Sequence, residues 1–168
     1  MFYCIDEKIL EEKIVNKSAF NYQLKLSKSN YFILINLEDK LLKLSSIADL
    51  YRIGKEYKIA QILFKVINSR EEFIKNENLL DLINLRYAIF LYSINDFNQS
   101  TRLIELLLTK ENSTLYHYIL QHKGKLEFRK KNYKIALHYF LKAKKMRKNN
   151  NELLNSTKMA IKRTTKLL

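Results

Sequence analysis

Proline is absent from the 168-residue chain, glycine occurs twice and cysteine once. With no proline and two glycines, the usual punctuation of a turn-rich β fold is missing, and long helices with short polar connections are favoured. A lone Cys4 forms no intramolecular disulfide and no cysteine-based zinc site. The longest apolar run, "YFILI" at Tyr31 to Ile35, falls far short of the ~20 residues that a membrane span needs. The opening "MFYCIDEKIL" has two acids by its seventh position and no apolar stretch of signal-peptide length. The expectation is an intracellular protein without a transmembrane segment, cytoplasmic or, in a eukaryote, nuclear.

Motifs of catalysis are missing too. Gly54 and Gly124 are seventy residues apart, so they make no phosphate-cradling loop. His117 and His122 are five apart and His138 lies in a later segment, which is not the spacing of a helical zinc site. Glu11–Glu12 and Glu71–Glu72 are adjacent pairs, whose side chains would leave a helix on different faces. No enzyme, no cofactor and no metal is expected; what remains is a binding protein.

What is present is a real core and a repeat. At 47% hydrophobic and 12% aromatic the chain is too apolar to be disordered, and its length suits a single domain over 1–168. Three segments align: Leu44 to Ile67, Asn84 to Leu107 and Leu120 to Ala143. In each, a small residue (Ala48, Ala88, Gly124) is followed nine positions later by an aromatic (Tyr57, Phe97, Tyr133). Three further on stands another small residue (Ala60, Ser100, Ala136), and four beyond that a large apolar one (Phe64, Ile104, Phe140). Two antiparallel helices approach closely only where side chains are small, so each helix of a pair supplies one at the crossing. The connections "RIGKEY", "SINDFN" and "FRKKNY" are short and polar, and the aromatics recur at intervals of 40 and 36 residues.

These segments resemble tetratricopeptide (TPR) repeats, whose period is ~34 residues. The resemblance covers 41–148 and rests on Ala48, Tyr51, Tyr57, Ala60 and Phe64 in the first repeat and on Gly124, Tyr133, Ala136, Phe140 and Ala143 in the third. The array departs from the family pattern: no repeat ends in proline, the middle one carries Ser100 and Ile104, and "NSREEFIKNENLL" lengthens the first connection. The fold expected is an all-α, TPR-like helical-hairpin solenoid with a basic C-terminal capping helix over 151–168. Residues 1–40 read as an N-terminal helical cap. In it "DEKILEEKIVNK" is helix-like, and "FNYQLKLS" is either a short strand or a divergent helix.

The charge is lopsided. The net +14 divides into six cations and six anions over 1–40, ten and nine over 41–120, and fifteen and two over 121–168. A general taste for lysine would enrich it throughout and would not strip acids from one end.

Two binding surfaces follow. In TPR register the helices present Ser45, Asp49 and Arg52, then Leu85, Ile89 and Tyr92, then Gln121, Lys125 and Arg129 to a concave groove. Such a groove suits an extended or helical peptide with an apolar middle and an acidic end, anchored by Lys125 and Arg129. Alternatively, Leu85 and Ile89 pack against the N-terminal segment folded into the groove. The second surface is the basic end: Lys130, Lys131, Lys134, Lys142, Lys144, Lys145, Arg147 and Lys148. It would follow nucleic-acid phosphates, with Tyr118, Phe128 and Tyr139 as the aromatics left for stacking. An acidic protein surface would satisfy the same charges, and so would an anionic membrane. The TPR resemblance implies a non-catalytic adaptor within a multiprotein assembly as the leading function. Contact with nucleic acid or a ribonucleoprotein through the basic third is the alternative. A further one is a peptide-sensing accessory protein, since similar repeats occur in the peptide-pheromone receptors of Gram-positive bacteria.

Overall fold

The structure is a computed structural model that describes residues 3–6, 10–147 and 151–168. Among these residues the fold is all-α apart from one small hairpin: strands β1 (Tyr3–Asp6) and β2 (Glu11–Ile14) precede eight α-helices. The helices are α1 (Lys17–Ile33), α2 (Leu37–Ile53), α3 (Tyr57–Asn68), α4 (Glu77–Ser93), α5 (Phe97–Leu108), α6 (Tyr116–Arg129), α7 (Tyr133–Met146) and α8 (Asn151–Thr165). Among the described residues, no helix is long and apolar enough to cross a membrane.

Several helix boundaries have a local cause. The Asn36 side chain accepts from the backbone N–H groups of Glu38 and Asp39 at 2.7 and 3.2 Å, capping α2 while two carboxylates sit in its positive first turn. Asn16, Asn76 and Asp96 do the same for α1, α4 and α5. The three expected turns share one geometry: Lys55, Asn95 and Lys131, each two residues before the repeat's aromatic, hold φ of 63°, 66° and 64°. After α2, Lys55 N–H donates to Arg52 O at 2.9 Å and Glu56 N–H to Tyr51 O at 2.8 Å. After α6, Lys131 N–H donates to Phe128 O at 3.0 Å and Asn132 N–H to Glu127 O at 2.9 Å. Both are Schellman closures, which normally place glycine where these lysines stand.

The chain divides into two compact units, one of Met1–Cys4 with Glu12–Ile94, the other of Ile5–Glu11 with Asn95–Leu168. The division falls in the turn of the middle repeat. In the first unit α2 packs on α1, α3 and α4. Ala48, Ala60 and Ala88 are fully buried, and Phe64 meets Tyr87 and Phe90 with ring centroids 5.2 Å from each. In the second unit α6 packs on α5 and α7, and α7 on α8. Phe128, Ala136, Phe140 and Ala160 form its core with Leu10. The residues the repeat marked as small or apolar at helix crossings are therefore the ones without solvent contact: Ala136, Phe140, Ala143, Ser100 and Ile104 are all at 0% exposure.

The N-terminal segment differs from expectation. Of the helix expected over "DEKILEEKIVNK", residues 7–9 lie outside the described residues, and Glu11–Ile14 is a strand instead. Leu10, in a left-handed turn at φ 57°, puts its side chain into the second unit's core at 1% exposure. Asn16 then starts α1, its side chain accepting from Ala19 N–H at 2.9 Å. Burial of Leu10 and the cap at Asn16 outweigh the helical spacing of the acids and lysines. The ambiguous "FNYQLKLS" is helical and lies within α1.

Candidate functional site

The groove positions of the first unit form a closed polar cluster. Arg52, 5% exposed, donates from Nε to Asp49 at 2.6 Å and from Nη1 to Glu12 of β2 at 2.9 Å. Burial pulls the guanidinium's pKa down, but Asp49 and Glu12 outweigh it and hold it well above its ordinary value. Burial, reinforced by Glu12, likewise pushes the Tyr92 phenol well up, so it stays neutral. Tyr92, Leu85 and Ile89 are buried at 1, 3 and 6% exposure. Ser45 is buried and accepts from Arg86 Nη1 at 2.8 Å.

The groove positions of the second unit are occupied in the same way. Arg129 is ion-paired with Glu11 of β2, donates to Asn95 at 2.7 Å and lies 6.0 Å from the centroid of the Phe97 ring. Lys125 is buried, and buried Gln121 accepts from Thr157 of α8 at 3.0 Å. Thus Asp49, Arg52, Leu85, Ile89, Tyr92, Gln121, Lys125 and Arg129 face the chain's own side chains. The two arginines already hold carboxylates from β2. An N-terminal segment folded into the groove was one of the alternatives the sequence left open, but adjacent Glu11 and Glu12 carry no indication of their distant arginine partners.

The basic positions behave differently. Lys131, Lys134, Lys142, Lys144 and Lys145 are exposed. Lys130 is half-buried and reaches Glu127 at 3.4 Å. Lys148 lies outside the described residues. Arg147 is buried at 3% exposure, donating from Nε to His117 Nδ1 at 3.2 Å and from Nη1 to Thr157 at 2.9 Å, with the Tyr118 ring 5.2 Å away. Burial lowers its pKa to about 10, so it is a charged structural clamp for α8 and not part of the surface. Lys123 is also buried, paired with Glu105 at 2.9 Å and Glu127 at 3.2 Å.

The aromatics considered for base stacking are engaged as well. Phe128 is core, Tyr118 lies against Arg147, and Tyr139 is within 5.8 Å of Lys123 Nζ. The exposed lysines instead adjoin an apolar cleft of about 540 Å³ lined by His138, Leu141, Lys142, Lys144 and Lys145 of α7 and Leu154 of α8. The cleft is not apparent in the sequence, because His138, Leu141 and Leu154 become neighbours only once α8 is docked beside α7. Among the described residues no three His, Cys, Asp or Glu side chains come together as metal ligands. Comparison of the chain with protein-family models, curated proteins and solved structures gives no match.

Proposed function

We propose that the chain is a non-catalytic adaptor of TPR-like build that binds an acidic protein partner on the basic face of α7 and α8. The observation that carries this reading is the contrast between its two cationic sets. Arg52 and Arg129 are satisfied by Glu12 and Glu11 within the chain. Lys134, Lys142, Lys144 and Lys145 stand exposed on a single helix, in a region with fifteen cations and two anions. Charge of one sign on an accessible face steers and selects a partner of the other. Nucleic acid meets the same charges but gains less here, because Tyr118, Phe128 and Tyr139 are committed to contacts inside the unit.

The test is affinity capture from native lysate at near-physiological salt, with and without nuclease, using the wild type and a Lys142→Glu/Lys144→Glu/Lys145→Glu variant. A stoichiometric protein that survives nuclease and is lost by the variant is the expected result. Retention by the variant, or loss on nuclease treatment, overturns the reading.

A further inference from the structure

The cleft between α7 and α8 combines two features that charge alone does not require. Its floor is leucine: Leu141 is 43% exposed, and Leu154 from α8 stands opposite it on the same cavity. Its rim is cationic, with Lys142, Lys144 and Lys145 lining it. One and two helical turns beyond Leu154, at four-residue spacing, Lys158 and Lys162 are exposed on α8. Lysine stems lie along apolar surface while their ammonium groups stay in water, so they extend the floor and charge its edges together.

The geometry points to a docking site for one amphipathic, acidic α-helix of a partner protein. Two helices with an apolar furrow between them accept a third whose own apolar stripe repeats at i, i+3, i+4 and i+7. Carboxylates flanking that stripe meet the lysines on both walls. A volume of about 540 Å³ is in the range of a formed binding cleft and accommodates a few anchor side chains. A phosphodiester backbone would use the lysines and leave Leu141 in water. An acidic coil without apolar residues would do the same. The inference rests on the acidic-partner reading above and adds the partner's form and the residues that grip it.

The experiment titrates the full chain, at near-physiological salt, against a labelled Glu-rich peptide of about sixteen residues, a little over four helical turns, with leucines at the stripe spacing. Comparison ligands are the same residues scrambled, a single-stranded oligonucleotide of equal charge, and anionic phosphatidylserine vesicles. The expected result is binding of the striped peptide about tenfold tighter than the scrambled one. Leu141→Gln, at an exposed position that leaves the core intact, should erase that difference. Lys142→Glu/Lys145→Glu should weaken both peptides. Equal binding of the two peptides, both lost on lysine reversal, overturns the helix-in-cleft inference and leaves the acidic-partner reading standing. Tighter binding of the oligonucleotide or the vesicles, or no binding of either peptide, overturns that reading as well. Unchanged helix content by circular dichroism confirms that each variant is folded.

Discussion

Gly124 of α6 lies directly under the ring of Phe140 of α7: a Cβ added at Gly124 would sit 2.5 Å from one ring carbon and 2.6 Å from the next. The Phe140 ring has no solvent contact, and close-packed interiors yield little to an added methyl group. Glycine in mid-helix normally costs about 1 kcal/mol relative to alanine, so Gly124→Ala would stabilise an unpacked helix. Here the clash decides the sign. We expect Gly124→Ala to destabilise the protein by about 2 kcal/mol, in the range of core overpacking. Gly124→Ala/Phe140→Leu should recover part of that loss. Urea denaturation followed by circular dichroism measures both.

This contact shows why the helical architecture was legible in the sequence. A small residue in one helix and a large one in its neighbour are a local, periodic requirement, and Gly124, Ala136 and Phe140 satisfy it within seventeen consecutive positions. Glu12 and Arg52 are forty residues apart, and the bond between Glu11 and Arg129 spans far more of the chain. Such partners leave no periodic trace. The register places Arg52 and Arg129 on a helix face, but it does not tell what covers that face. The cleft was hidden likewise, because Leu141 and Leu154 belong to different helices and become neighbours only through packing.

The left-handed turns yield a second prediction. Lys55 and Lys131 hold positive φ without the freedom of glycine, and a left-handed L-residue costs roughly 1 kcal/mol or more. Both side chains are exposed. Lys55→Gly and Lys131→Gly should each raise stability by about 0.5 kcal/mol, once the extra entropy of an unfolded glycine is deducted. Opposite shifts in the denaturation midpoint would mean that these side chains make contacts of their own.

The buried cluster around Arg52 predicts a larger loss. Arg52→Met removes the one cation that Asp49 and Glu12 share in this cluster. Two carboxylates would then lie beside buried Tyr92 without the guanidinium that both of them bind. We expect a loss of about 3 kcal/mol, the scale on which a broken buried ion pair destabilises. Arg52→Met/Glu12→Gln/Asp49→Asn, which removes all three charges, should lose less. A triple variant as unstable as the single one would show that packing, not charge, sets the cost.

His117 makes stability depend on pH. Burial, and then the adjacent Arg147 guanidinium, lower its pKa below the ordinary 6.5. Its Nδ1 accepts from Arg147, which requires the neutral ring. As pH falls, the unfolded chain takes up this proton before the folded one does. The contribution of His117 is therefore full above about pH 6.5 and is lost progressively below it. Denaturation midpoints should fall between pH 7 and 5, and His117→Gln should flatten that fall. Glu127, held below its ordinary value by Asn132 and Lys123 against the cost of burial, adds a further loss only at lower pH.

The central claim, that α7 and α8 present the binding face, is tested most directly by a lysine-acylation footprint. The chain, free and bound to the partner recovered by capture, is labelled briefly and the modified lysines are read by mass spectrometry. The account predicts that Lys134, Lys142, Lys144 and Lys145 lose reactivity on binding, while exposed Lys55, Lys58 and Lys65 of the first unit keep theirs. Protection at Lys55, Lys58 and Lys65 with α7 unchanged would contradict it.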